Sequence, residues 1–136
     1  MTTELTYLFL MTVILACAWI PHIIGQVLTQ GFLTGDDYTN LRNQADFPAW
    51  VCRANRAHIN LVEQFGAFAA LVLIAHVLDV SSKWTVMAAA VFFWARIAHF
   101  VIFLVGVRIL MTRTVIFSVS WIALMVFAYA LWCGVR

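Results

Sequence analysis

The residues best suited to chemistry in this sequence lie inside its apolar stretches rather than between them. Six polar side chains occupy the second and third of four apolar segments: Arg53, Arg56, Asn60, Glu63, Arg96 and His99. At the helical rotation per residue, the four positions in the second segment fall within about 80° of arc and cover roughly 15 Å of helix axis. Ionisable groups at membrane depth are costly and usually functional. We therefore interpret this polar stripe as a candidate ligand site.

The charge of the stripe is unbalanced, because three arginines accompany a single glutamate. Counted from the same membrane surface, Glu63 and Arg96 both lie about 18 Å deep, which predicts an ion pair between them. The remaining positive charge is unstable in a low dielectric unless water or an anion neutralises it. Guanidinium groups suit carboxylates and phosphates alike, so the stripe predicts an anionic ligand of either kind. The alternative is a purely structural clamp between two helices.

The composition indicates what must position these residues. Of 136 residues, 65% are hydrophobic and 10% are charged, and the mean hydropathy is +0.97. A soluble domain carries roughly a quarter charged residues, so we expect an integral membrane protein. Long unbroken apolar stretches exclude an outer-membrane β-barrel. A net charge of +2 without a basic run argues against nucleic acid as a partner.

The apolar segments predict a single domain over residues 1–136 with four membrane spans. The spans are expected at about residues 5–28, 50–78, 84–107 and 114–134. Short links between long helices make neighbours antiparallel, so the predicted fold class is an all-α membrane protein, an up-down four-helix bundle. Lys83 and Arg136 lie on one side, whereas most basic residues lie on the other: Arg42, Arg53, Arg56, Arg108 and Arg113. The excess of positive charge marks the cytoplasmic face, which places both termini outside.

The remaining reactive residue types do not form a second site. Cys17, Cys52 and Cys133 have neither metal-ligand spacing nor an even pairing, so we predict no metal site and no disulfide framework. His58 points about 160° away from the stripe and is expected to face another helix or the headgroups.

Three strings give the chain a specific resemblance to one family. The run Arg-Ala-Asn-Arg-Ala-His-Ile-Asn-Leu-Val-Glu at 53–63 resembles the second-helix signature of the membrane-associated proteins in eicosanoid and glutathione metabolism (MAPEG). The run Arg-Ile-Ala-His at 96–99, followed by Phe-Leu-Val-Gly at 103–106, resembles the next block of that family. Arg113 and Thr114 resemble the pair that opens the fourth helix. The resemblance covers most of the chain, from about Pro21 onwards.

This resemblance implies a homotrimer in a bacterial inner membrane, with glutathione bound between subunits near the cytoplasmic leaflet. It assigns glutathione binding to the polar stripe: Arg53, Arg56, Asn60, Glu63, Arg96 and His99. It assigns to Arg113 the stabilisation of a thiolate that attacks a lipophilic electrophile or peroxide, which makes the expected activity a glutathione-dependent transferase or peroxidase. Membrane lipid and a lipophilic small-molecule substrate are the other expected partners.

Four positions depart from the family pattern. Ile59 and Leu28 stand where members with glutathione chemistry often carry basic residues, and Phe103 and Phe117 stand where parts of the family carry aromatic hydroxyls. Because the expected pocket has fewer basic residues, a second interpretation stays open. In this interpretation the chain is a non-catalytic membrane protein that binds anionic lipid or acts as a scaffold. A transporter is disfavoured because no inverted repeat or pair of broken helices is evident.

Overall fold

The computed structural model describes residues 1–107 and 111–136. It contains five α-helices: α1 (Thr3–Cys17), α2 (Ile20–Gln30), α3 (Ala49–Val77), α4 (Lys83–Val105) and α5 (Thr112–Val135). Two short 3-10 helices, Gly35–Tyr38 and Gln44–Asp46, lie in the loop between α2 and α3. Arg108, which contributed to the predicted orientation, lies outside the described residues.

Four helical stretches are long and apolar enough to cross a membrane: Thr3–Gln30, Ala49–Val77, Lys83–Val105 and Thr112–Val135. Their mean hydropathies are 2.1, 1.5, 2.1 and 2.1. The stretch that contains α3 is the least apolar because it carries four residues of the polar stripe. The protein is thus an all-helical integral membrane protein with four candidate spans.

The first of these stretches is interrupted, which the sequence analysis did not anticipate. α1 ends at Cys17 and α2 begins at Ile20, with Pro21 in its first turn. A proline has no amide hydrogen and so tolerates only the beginning of a helix. At the interruption, the Trp19 indole Nε1 donates a hydrogen bond of 2.7 Å to the carbonyl of Ala16. The first span is therefore built from two helices rather than one.

A buried glycine sets the approach of α2 to α3. A Cβ at Gly25 would lie 2.6 Å from Cγ2 of Val51 and 2.7 Å from the Trp50 ring. The His22 ring also lies against this turn, with Nδ1 3.3 Å from the carbonyl oxygen of Val51. Only glycine allows this contact, which holds the first turn of α3, where the polar stripe begins.

The loop between α2 and α3 is held together by Arg42. Its guanidinium donates to both carboxylate oxygens of Asp37, at 2.8 and 2.9 Å, and to the carbonyl oxygens of Gly31 and Phe32, at 3.0 and 2.9 Å. The hydrogen bonds from Arg42 hold the pKa of the Asp37 carboxyl well below its usual range. The loop before α3 is therefore stabilised by two charge-assisted hydrogen bonds between the guanidinium and the carboxylate.

The core lies where α4 packs against both α3 and α5. Phe68 of α3 stacks on Phe92 of α4 with ring centroids 4.3 Å apart, and both side chains are buried. Ala88 and Ala89 of α4 are also buried, so small side chains let the helices approach closely on this side. The outward faces are apolar as well, as expected for helices surrounded by lipid.

A buried carboxylate ties α1 to α4 at the end of the bundle that carries Ser81. Glu4 is 3% exposed, and its Oε1 accepts hydrogen bonds from Thr85 Oγ1 at 2.7 Å and from Ser81 Oγ at 2.9 Å. Thr85 also caps α4, because its hydroxyl accepts from the Ser82 amide at 2.8 Å. The sequence analysis did not single out Glu4, which lies in the first turn of its helix.

Replacement of Thr85 by valine tests this polar tie. Thr85→Val should lower the free energy of unfolding by about 2 kcal/mol, because it removes a hydrogen bond to a buried carboxylate and a helix cap. Thr12→Val is the matched control, since the Thr12 hydroxyl bonds only the Leu8 carbonyl of its own helix, at 2.8 Å. Thermal unfolding in detergent measures the stability of both variants. Equal unfolding midpoints would show that the hydrogen bond from Thr85 to Glu4 does not stabilise the fold.

Candidate functional site

Arg96 is the most deeply buried cation of the described residues. It lies in the middle of α4 with 1% of its surface exposed. Its Nη2 donates a hydrogen bond of 2.6 Å to the backbone carbonyl of Asn60 in α3, and the Asn60 side chain donates to the carbonyl of Arg56 at 2.9 Å. The Nε and Nη1 atoms of Arg96 are buried without a hydrogen-bond partner among the described residues. The guanidinium is therefore positioned by one backbone oxygen and only partly satisfied.

The predicted ion pair between Arg96 and Glu63 is absent. In the part of the chain that the structure describes, the ion pair within 4.0 Å is Arg42–Asp37, and Glu63 is exposed. Glu63 lies about 60° around α3 from Asn60, whose carbonyl meets Arg96. The prediction rested on matching depths along the two helices and could not establish the rotation of α3 relative to α4.

Aromatic rings connect Arg96 to Arg113. Cζ of Arg96 lies 5.8 Å from the Phe117 ring centroid, and Cζ of Arg113 lies 4.4 Å from that of Phe103. His99, which is 3% exposed, lies between the two rings, with centroid distances of 6.1 Å to Phe117 and 5.2 Å to Phe103. The structure thus brings both cations and His99 into one cluster. Ring faces attract cations electrostatically, so the phenylalanines help to hold them there.

Arg53 joins this cluster at the end of α4. The helix ends at Gly106, whose φ of 79° is in the left-handed region that favours glycine. A Cβ on Gly106 would lie 2.7 Å from both Cζ and Nε of Arg53, so the guanidinium rests directly against this glycine. Beside it, Nη2 of Arg113 contacts the carbonyl of Val107 at 3.4 Å. The end of α4, the first turns of α3 and the start of α5 therefore meet in a cationic cluster, which we define as Arg53, Arg96, His99 and Arg113.

The cationic cluster contains several donors without acceptors. Within the cluster, the buried guanidinium nitrogens with no hydrogen-bond partner among the described residues are Arg53 Nε, Arg96 Nε, Arg96 Nη1 and Arg113 Nε, and the ring atom His99 Nδ1 is also unpaired. A buried polar group left unpaired costs about 1–3 kcal/mol, and more when it is charged. Because no carboxylate is paired with these arginines in the described chain, the arrangement suits a ligand that supplies negatively charged oxygen or sulfur.

The remaining stripe residues face outward. Arg56 and Glu63 are exposed and Asn60 is half-buried, although all three lie on the membrane-spanning α3. The six residues of the predicted stripe therefore divide between a buried part on α4 and the start of α3 and an exposed charged face on α3. Lipid is a poor solvent for that face, since a charge at the bilayer centre costs on the order of 3 kcal/mol on insertion scales.

Two features of the site were not recognised in the sequence. The family resemblance marked Phe103 and Phe117 as positions without a hydroxyl, whereas in the structure their rings contact Arg113 and Arg96. The four-residue spacing from His99 to Phe103 indicates the contact between those two rings but neither contact with an arginine. The interaction of Arg53 with Gly106 leaves no signal in a single sequence, since it depends on how two helix ends meet.

Comparison with known proteins identifies the family of the chain. The model of the MAPEG family matches residues 5–133, which is nearly the whole chain. The protein belongs to the MAPEG family. No curated protein and no solved structure matches it. Membership of this family is consistent with the four helices that are long and apolar enough to cross a membrane.

Gly106→Ala tests whether the glycine positions the cluster. The new Cβ would displace the Arg53 guanidinium, so the affinity for an anionic probe such as glutathione should fall by about tenfold, the equivalent of one charge-assisted hydrogen bond. Gly31→Ala is the control, because Gly31 also has a positive φ, of 75°, but a Cβ there would meet nothing within 4 Å. Both variants should lower the melting temperature, as alanine is strained at either position. Calorimetry showing equal affinity in both variants would contradict the assignment.

Proposed function

We propose that this protein is a glutathione-dependent transferase or peroxidase that acts on lipophilic electrophiles in the membrane. The observation that carries the proposal is the set of buried guanidinium N–H groups of Arg53, Arg96 and Arg113 that have no acceptor among the described residues. Glutathione has two carboxylates, a thiol and one ammonium, so it can supply acceptors to several arginines. Its ammonium would pair with the exposed Glu63, which is unpaired in the described chain.

The exposed charges on α3 support a site shared between copies of the chain. Arg56 and Glu63 need a polar or charged partner at membrane depth, and a second copy can bring one without exposing either residue to lipid. We propose a homotrimer of antiparallel four-helix bundles in which α3 faces a neighbour and glutathione occupies the space between them. The positive-charge bias would place this site near the cytoplasmic leaflet of a bacterial inner membrane, with both termini outside.

Arg113 would activate the thiol. It lies in the first turn of α5, where the helix dipole and free amide groups also favour a negative charge, and its guanidinium is held over the Phe103 ring. A cation beside sulfur lowers the thiol pKa and raises the fraction of thiolate at neutral pH. The thiolate would then attack the electrophilic carbon of the second substrate, or the oxygen of a peroxide, and the leaving group would take up a proton. The second substrate would reach the site from the lipid.

The second candidate is a non-catalytic family member in which the cationic cluster binds the headgroup of an anionic lipid. Two observations favour it. Phe103 and Phe117 contact the cationic cluster with phenyl rings that have no hydroxyl to offer a sulfur atom. Arg56, which a lipid phosphate could also contact, is exposed on the membrane-facing surface of the single chain.

Glutathione binding distinguishes the two functions. Calorimetry on the detergent-solubilised protein should show binding at millimolar glutathione, and Arg96→Met should abolish it. Because Arg96 is a buried cation with unpaired donors, Arg96→Met should fold with little loss of stability. Arg136→Gln serves as the control, since Arg136 lies at the other end of α5 over the Trp132 ring. Failure of the wild type to bind, together with co-purified anionic lipid that Arg53→Gln loses, would favour the second candidate.

The role of Arg113 predicts separate effects on binding and on chemistry. Arg113→Ala should leave glutathione affinity within about threefold, because the other cations remain, but reduce the thiolate fraction at neutral pH by about tenfold or more. Arg113→Lys should retain part of the effect because it keeps the charge. Ultraviolet absorbance of the thiolate, titrated with pH, measures this fraction directly. Identical titration curves for wild type and Arg113→Ala would remove Arg113 from the mechanism.

The shared site predicts that assembly depends on the α3 face. Wild-type protein should sediment as a trimer in detergent, and the double variant Arg56→Ala/Glu63→Ala should dissociate at lower protein concentration. Trp94→Ala is the control, because Trp94 is a large exposed residue on α4. Analytical ultracentrifugation that finds a monomeric wild type, or equal dissociation in both variants, would exclude the proposed interface.

A further inference from the structure

An apolar groove lies between the first turns of α4 and the last turns of α5. Its volume is about 830 Å³, within the range of small-molecule sites. Residues that line it include Ser82, Trp84, Trp121, Met125, Tyr129 and Cys133. The groove is at the end of α4 opposite Gly106 and Arg53, so it is separate from the cationic cluster.

The groove faces the surroundings of the protein rather than its interior. Trp84, Trp121 and Tyr129 are 61%, 51% and 71% exposed. The charged face that requires a protein neighbour is on α3, whereas the groove is built entirely from α4, α5 and the residue before α4. Tryptophan and tyrosine concentrate at the headgroup level of membranes, where one part of the side chain meets hydrocarbon and another meets water. These features suit an acyl chain as the occupant.

Two basic residues lie within two positions of residues that line the groove. Lys83 is exposed between two lining residues, and Arg136 lies two residues beyond the lining residue Gly134. The Arg136 guanidinium is held over the Trp132 ring, with Cζ 4.9 Å from its centroid. The two carboxylates at this end of the bundle, Glu4 and Asp79, line a separate small cavity and do not line the groove. The charged residues next to the lining residues, Lys83 and Arg136, are basic, which favours a phosphate as the polar part of the occupant.

We propose that this groove binds one anionic phospholipid, with an acyl chain along Trp121 and Met125 and the phosphodiester at Lys83 and Arg136. This site is independent of the proposed glutathione chemistry, because it shares no residue with the cationic cluster.

Native mass spectrometry with defined lipids tests the proposal. The full-length protein is exchanged into detergent containing equal amounts of dioleoyl phosphatidylglycerol and dioleoyl phosphatidylcholine, and the bound lipids are counted per protomer. Wild type should retain one phosphatidylglycerol in preference to phosphatidylcholine. Lys83→Gln/Arg136→Gln should lose the preference, by about fivefold for each charge removed, but still bind lipid.

A second variant distinguishes the contribution of the acyl chain to binding from that of the headgroup. Ala130→Phe fills the groove and should abolish retention of both lipids, whereas the control Ala98→Phe occupies a shallower apolar groove of about 400 Å³ further along the same helices and should not. Equal retention of the two lipids by wild type, or unchanged retention by Ala130→Phe, would overturn the proposal. So would oxidative cross-linking of Cys133 to Cys133 in membranes after replacement of Cys17 and Cys52 by serine, because it would place a second copy on the groove.

Discussion

The burial of the Arg96 guanidinium is the constraint on which the site depends. A cation at membrane depth must find acceptors within the protein, and Arg96 finds one, the backbone carbonyl of Asn60 at 2.6 Å. A guanidinium has five donors, and a single carbonyl satisfies only one of them. Because this oxygen belongs to the helix that also carries Arg53, the contact brings a second positive charge toward the same region. The helices α3 and α4 thus hold like charges together rather than compensating them.

Phenylalanine rings stabilise these buried cations without neutralising their charge. Phe117 and Phe103 lie beneath Arg96 and Arg113, and a cation–π contact contributes about 0.5–2 kcal/mol. That is less than a buried charge requires, and a ring offers no lone pair to the free N–H groups. The rings therefore position the cations and leave their hydrogen-bonding capacity available. This is why Phe103 and Phe117 weaken the case for hydroxyl-assisted chemistry while they preserve an anion site.

The sequence predicted the elements better than their mutual rotation. Composition and apolar segment length indicate an all-helical membrane protein, and the spacing of Arg53 to Glu63 places one polar face on one helix. The same periodicity does not give the rotation of that face relative to α4. The sequence analysis therefore predicted Glu63 as the partner of Arg96, whereas the structure shows a backbone carbonyl in that role. A backbone acceptor has no sequence signature. The interruption at Ala18 and Trp19 also escaped notice, because Pro21 is compatible both with the end of a span and with the start of a new helix.

The two ends of the bundle bury side chains of opposite charge. At one end, Glu4 accepts from Ser81 and Thr85, which fastens α1 to α4. At the other, Arg53 and Arg113 meet around Gly106 with unpaired nitrogens. Two hydroxyls satisfy Oε1 of Glu4 and leave Oε2 unpaired, whereas the unpaired donors at the other end favour a ligand that supplies acceptors. Because α4 runs between both ends as a single helix, the residues that bind Glu4 and the incomplete site at Arg96 and His99 lie on one element.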